Sequence, residues 1–200
     1  MTIGITGGIG SGKSTIAKQL RAMGYAVYDT DSEAKRLIVE DAHVRQQIEQ
    51  LFGSEVYKDG VYQTALVAQR VFADHSLLAQ LNAIVHPAVK ADIMCWAQKI
   101  NHATPCYTML HNTTPCFVEC AILYQAGFDS LCDKVVAVTA PEDVRLQRVI
   151  ARDHSSSDKV LARMRAQQAE EILQRADIII NNDGKTSILT LCEEILRFIQ

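Results

Sequence analysis

Gly7, Gly8, Ile9, Gly10, Ser11, Gly12, Lys13 and Ser14 satisfy the pattern G-x-x-x-x-G-K-[ST] in full. This pattern constrains the fold as much as the chemistry, because it works only between a buried strand and the start of a helix. Both flanks fit: an apolar run over residues 3–6 precedes the loop, and Ile16, Ala17, Leu20 and Met23 follow at helical spacing. A polyphosphate is densely anionic and needs several convergent donors without bulk. Glycines let the backbone curl with N–H groups pointing inward, and the helix N-terminus adds the positive end of its dipole. Gly8, Gly10, Ser11 and Gly12 are therefore expected to cradle ATP, with Lys13 on the β- and γ-phosphates and Thr15 near the α-phosphate. The Ser14 hydroxyl is the expected Mg²⁺ ligand.

The rest of the chain continues a strand-helix alternation. Gly24 is placed to stop the first helix. Strands are expected over residues 25–28, 117–123, 134–139 and 178–180. Between the second and third strands, residues 32–100 are mostly helical in pattern, broken near residues 53–60 and at Pro87. Further helices are expected over residues 143–152, 159–175 and 186–199, with a polar turn over residues 154–158. Such an alternation predicts an α/β fold of three layers, a parallel sheet of about five strands flanked by helices. Ligands of such sheets bind beyond the carboxyl ends of the strands, where the glycine loop, Asp29, Asp31, Glu119 and Asn182 all fall. The 200 residues suit one domain, with a helical insert over about 33–100 as the acceptor-binding part and a lid over about 152–175.

Composition excludes several classes. A net charge of −3 gives no global pull toward nucleic acid or a membrane surface. No apolar run approaches the roughly 18 residues of a spanning helix. The N-terminus runs straight into the glycine loop, so no cleaved leader is expected and the expected location is cytoplasmic. Six cysteines form no C-x-x-C pair and read as free thiols. His102, Cys106, His111 and Cys116 are potential zinc ligands, but their spacing matches no zinc motif and a surface loop is the better reading. The chain is expected to be a monomer or a small homo-oligomer acting on small molecules.

The loop alone does not separate kinases from GTPases or motor ATPases. No N-K-x-D guanine motif is present, since Asn181, Asn182 and Asp183 lack the lysine, and the chain is short for a motor. A small-molecule kinase needs a carboxylate for the acceptor hydroxyl and arginines for the moving phosphoryl group. Asp29 and Asp31, two residues apart after the second strand, are the expected pair if strand geometry persists, with Asp31 favoured as base. An N-cap role is the competing reading for one of them, and Ser32 competes for it. Arg145, Arg148 and Arg152 share a helix face, and Arg163 and Arg165 follow. A mobile lid carrying these arginines over the phosphates would exclude water. A nucleotide-binding regulator is the alternative of a different class, but a switch has no use for a hydroxyl base.

These residues also resemble the dephospho-coenzyme A kinase family. The carriers are the run from Ile5 to Thr15, Asp29-Thr30-Asp31, and the helix motif from Leu81 to His86-Pro87. Arg148 through Arg152-Asp153, Arg163 with Gln167, and Ala176-Asp177 followed by Asn182-Asp183-Gly184 complete it. They run in order from residue 3 to about 184. The resemblance implies ATP-dependent phosphorylation of the ribose 3′-hydroxyl of dephospho-coenzyme A. It implies Asp31 as base, Arg148 on the phosphates, and Asn182 near the adenine. His86 and the helical insert would help hold the acceptor, with Arg152 and Arg163 of the expected lid as further candidates. The chain departs from many members at Glu119-Cys120-Ala121-Ile122-Leu123, where a Pro-Leu-Leu run is common, and residues 101–115 match nothing in the family. A kinase of another small hydroxyl acceptor is the alternative within the same class.

Overall fold

The computed structural model describes residues 1–74, 76–103, 114–167 and 169–200, apart from the side chains of 101–103 and 169. In chain order the elements are β1 (Thr2–Gly7), α1 (Lys13–Ala22), β2 (Val27–Asp29), α2 (Thr30–Glu40), α3 (Ala42–Phe52), β3 (Tyr57–Lys58), β4 (Val61–Tyr62), α4 (Thr64–Ala73), α5 (Ser76–Ala103), β5 (Cys116–Glu119), β6 (Lys134–Thr139), α6 (Glu142–Asp153), α7 (Ser157–Ala166), α8 (Ala169–Arg175), β7 (Ile178–Asn181) and α9 (Ile188–Ile199). Two compact units result: Met1–Tyr28 with Ala97–Gln200, and Asp29–Trp96.

The first unit is built on a five-stranded parallel sheet in the order β2-β5-β1-β6-β7. Its centre is β1, every residue of which is buried. β1 pairs in parallel with β5 (Ile3 with Phe117, Ile5 with Glu119) and with β6 (Ile5 with Val136, Gly7 with Val138). A strand covered on both faces reads as a continuous apolar run, which is why Val135, Val136 and Val138 were legible as a strand. Ile3, Ile5, Phe117, Val136, Val138 and Ile180 pack with Ile16 and Leu20 of α1 and with Leu191 and Ile195 of α9. α1 ends as its sequence requires: Gly24 sits at φ 92, its N–H donates to the Arg21 carbonyl, and the Tyr25 N–H donates to that of Leu20. That pair is a Schellman stop.

Three expectations need correction. The third strand stops at Glu119, and residues 121–127 turn instead, with the Ala126 N–H on the Ile122 carbonyl and the Phe128 N–H on that of Leu123. Leu123 is wholly buried, and a short buried apolar run has the same pattern in a strand or a turn. The charged helix over 159–175 is two helices, α7 and α8, because Gln167 has an extended backbone (φ −85, ψ 123). Lastly, α5 passes through Pro87 without a break. A proline costs one N–H and crowds the carbonyl four residues back, but 28 residues of helix carry it.

The second unit is helical with one hairpin, β3 against β4. Arg36 organises it: its guanidinium reaches Glu33 at 2.5 Å on its own helix and Asp92 of α5 at 2.8 Å. The Tyr57 hydroxyl donates to the Ile38 carbonyl at 2.7 Å, and the Arg45 guanidinium lies 4.6 Å from the Tyr57 ring centre. No described helix is long and apolar enough to cross a membrane. The zinc reading and the loop around it fall on the 102 side chain and on residues 104–113, outside the described residues, while Cys116 is buried in β5.

Candidate active site at the phosphate loop

The glycine loop leaves the carboxyl end of β1 and enters α1, the connection its residue types demand. Gly12 is the N-cap of α1 in the left-handed region (φ 89) and has no side chain to cap with. No side chain caps the Lys13 and Ser14 N–H groups, which are left for a ligand, while the Thr15 N–H donates to the Gly12 carbonyl at 3.0 Å; no acidic residue in that turn opposes an anion. By contrast, α2 and α3 are capped by the carboxylates of Asp29 and Asp41. Gly10 is left-handed as well (φ 79), and a Cβ there would lie 2.6 Å from the Arg145 carbonyl oxygen. Any side chain at that position meets both backbone strain and a clash. Lys13 is half-buried, and its ammonium makes no hydrogen bond or ion pair among the described residues.

Around the loop, residues from three other segments converge. The Ser14 hydroxyl donates to Glu119 Oε1 at 2.5 Å, and Glu119 is buried at the end of β5. Asn182, buried after β7, donates its Nδ2 to the Ser11 carbonyl at 3.0 Å. Arg148 Nη1 donates to the Asn182 carbonyl at 3.0 Å and to that of Ser11 at 3.4 Å. Arg148 and Asn182 thus tie the loop to α6 and to the segment after β7. The donors that sequence reasoning assigned to phosphate and adenine are used here on backbone carbonyls.

Arg145, one turn earlier on α6, stands closer to the loop than its sequence prominence suggested: a Cβ on Gly8 would lie 2.5 Å from its Nη1. Its Nε is buried and without a partner. Gln167, in the break between α7 and α8, accepts from the Ile9 N–H at 2.7 Å. The three-residue spacing of Arg145 from Arg148 was a signal for the first; the second stood out only as part of the family resemblance, with no role attached to it. Thr15, expected near the α-phosphate, is exposed on the first turn of α1.

The other expected lid arginines point elsewhere. Arg152 and Arg163 share the Asp153 carboxylate at 2.6 and 3.2 Å, and both are largely exposed. The hydrogen bond from Arg152, reinforced by Arg163, holds the Asp153 carboxyl down at about 2.

Asp29, Asp31 and His86 belong to the helical unit. Strand geometry does not persist across the aspartate pair, since β2 ends at Asp29 and α2 begins at Thr30. Asp29 is the N-cap: its Oδ1 accepts from the N–H groups of Asp31 and Ser32 at 3.1 and 3.3 Å, and its Oδ2 from the Ser32 hydroxyl at 2.9 Å. Ser32 thus supports the cap instead of competing for it. Asp31 lies in the first helical turn with an exposed carboxylate that makes no hydrogen bond or ion pair among the described residues. His86 is half-buried on α5, and desolvation pushes its imidazole below the ordinary value.

Comparison with known proteins places the chain in a family. The family profile described as dephospho-CoA kinase matches residues 1–187. A dephospho-CoA kinase of Porphyromonas gingivalis is 43% identical over 176 residues, which is 88% of this chain and 82% of that one. One of Bacteroides fragilis is 35% identical over 198 residues, covering 98% and 92%. A crystal structure of a Thermus thermophilus protein superposes with a TM-score of 0.78 at 34% identity, covering 100% of this chain and 95% of that one. With a matching profile along nearly its whole length, the chain belongs to the dephospho-CoA kinase family.

Proposed function

We propose that this protein transfers the terminal phosphoryl group of ATP to the ribose 3′-hydroxyl of dephospho-coenzyme A, giving coenzyme A and ADP. The observation that carries this reading is the uncapped α1 N-terminus with Lys13 and the Ser14–Glu119 pair, in a chain whose family match runs over residues 1–187. The acceptor oxygen attacks the γ-phosphorus, the bond to the β–γ bridging oxygen breaks, and the hydroxyl proton passes to a carboxylate. We assign that carboxylate to Asp31, with Asp29 fixing the helix turn that carries it. Lys13 and Arg145 neutralise charge on the moving group, while Arg148 and Asn182 hold the loop in shape on the nucleotide side. The helical unit with His86 is assigned to the acceptor, and the segment with Arg152 and Arg163 to a lid.

Mg²⁺ fits the donors present. It takes one or two protein oxygens and completes its shell with phosphate and water; the Ser14 hydroxyl offers one such oxygen, and the Glu119 carboxylate that accepts its hydrogen bond at 2.5 Å orients it. Bound there, the ion would neutralise charge on the β- and γ-phosphates. Glu119→Gln is expected to raise the Mg²⁺ concentration for half-maximal rate by about 10- to 100-fold, with much of kcat restored at saturating metal. An unchanged Mg²⁺ midpoint in that titration would remove Glu119 from the metal site.

The chain is assigned to the cytoplasm as a user of ATP. It is assigned as a monomer or small homo-oligomer acting on small molecules. The test of the activity is ADP release with Mg-ATP, with and without dephospho-coenzyme A, and the product identified by mass. A product one phosphate heavier, formed only with acceptor, is expected. Phosphorylation of a different hydroxyl compound, and none of dephospho-coenzyme A, would move the assignment to another acceptor.

A further inference from the structure

The break between α7 and α8 has a partner in the phosphate loop. Gln167 leaves helical geometry, and its Oε1 takes the Ile9 N–H at 2.7 Å. An N–H donor requires the carbonyl end of the carboxamide, so the amide's orientation is set. The same oxygen lies 3.6 Å from where a Cβ of Gly8 would be, next to Arg145 Nη1 at 2.5 Å from that point. A neutral acceptor and a guanidinium thus meet over the strand-side half of the loop. The helix-side half, from Gly12 onward, carries the α1 N-terminus that suits the inner phosphates. That leaves Gly8 and Ile9 for the outermost phosphate. Arg145 adds an independent sign of an anion at this place, because its Nε is buried and without a partner.

We propose that Gln167 is a positioning residue whose carbonyl stands in for an oxygen of the γ-phosphate on the Ile9 N–H, so that ATP displaces it and ADP does not. The proposal rests on the ATP-binding reading of the loop and is independent of the acceptor's identity. A phosphate oxygen makes a charge-assisted bond to the N–H and outcompetes a neutral carbonyl. Displacement frees the residue that ends α7, so arrival of the third phosphate is reported to the α7–α8 segment. The contact therefore acts on the discrimination between ATP and ADP, which a plain structural brace would not touch.

The experiment is calorimetric titration of the full chain, wild type, Gln167→Ala and Gln167→Glu, with Mg-ATP and separately with Mg-ADP, without acceptor. Thermal unfolding of each variant accompanies it. Removing the competing hydrogen bond in Gln167→Ala is expected to tighten ATP by about 2- to 10-fold while ADP moves less than 2-fold. Gln167→Glu puts a carboxylate where the γ-phosphate goes, so ATP is expected to weaken by about 10-fold or more and ADP far less. Equal shifts for both nucleotides, or unchanged ATP affinity in both variants, would overturn the proposal. Wild-type protein that binds neither nucleotide would instead overturn the phosphate-loop reading on which it rests. Should Gln167→Ala unfold early, the isosteric Gln167→Glu gives the same ATP-to-ADP comparison in a chain of native shape.

Discussion

Lys13→Ala is expected to lower kcat by on the order of 10²-fold or more, because the enzyme loses a positive charge where the transferring phosphoryl group builds negative charge. The expected loss is functional and not a loss of fold. Lys13 opens α1, alanine is the best helix former, and the side chain makes no hydrogen bond or ion pair among the described residues. Ile16, Ala17 and Leu20, which anchor α1 in the core, are untouched. Steady-state rates at saturating Mg-ATP and acceptor, with a thermal melt of each protein, separate the two. Near-wild-type turnover would remove Lys13 from the chemistry, and a collapsed melting temperature would make it structural.

Asp31→Asn is the second large effect. A positioned general base contributes about 10²- to 10⁴-fold, so kcat is expected to fall within that range while Mg-ATP affinity stays the same. The substitution is nearly isosteric. Its stability cost is confined to a favourable charge in the first turn of α2, about 0.3–1 kcal/mol at most, because the cap belongs to Asp29. Single-turnover rates with enzyme in excess read the chemical step directly. If ATP affinity collapses and the rate per bound complex is normal, Asp31 serves the metal or the fold and the proton goes elsewhere.

Much of this chain was legible because local chemistry and global position agree. The glycine loop could be read because a phosphate site made of backbone N–H groups needs glycines at set positions, and Gly10 and Gly12 do adopt φ values of 79 and 89. The strand over residues 134–139 was legible because a strand buried on both faces is apolar throughout. The aspartate pair was legible as a feature but not as a geometry. Whether the strand or the helix claims residue 30 depends on which element captures the backbone N–H groups, and the Asp29 cap settles it for the helix. Arg148 was expected on the phosphates, and in the structure its guanidinium lies on backbone carbonyls of the loop and of Asn182. Its bonds to the Ser11 and Asn182 carbonyls depend on residues 137 and 34 positions away.

By itself, the sequence determined the kind of site: a glycine loop of backbone amides with a lysine and a hydroxyl at the start of a helix, and the strand-helix alternation that carries them. Those features are local, set by residue types within a turn or two of one another, and so leave patterns in the order of residues. The tertiary structure alone decided which side chains close around that site. Glu119 on Ser14, Arg145 beside Gly8 and Gln167 on Ile9 are separated from the loop by 105 to 158 positions or, for Arg145, by the crossover from β1 to α6. No local propensity records such meetings. They exist because a parallel sheet brings the carboxyl ends of β1, β5 and β6 to one edge, where the segments that follow them must share the same space.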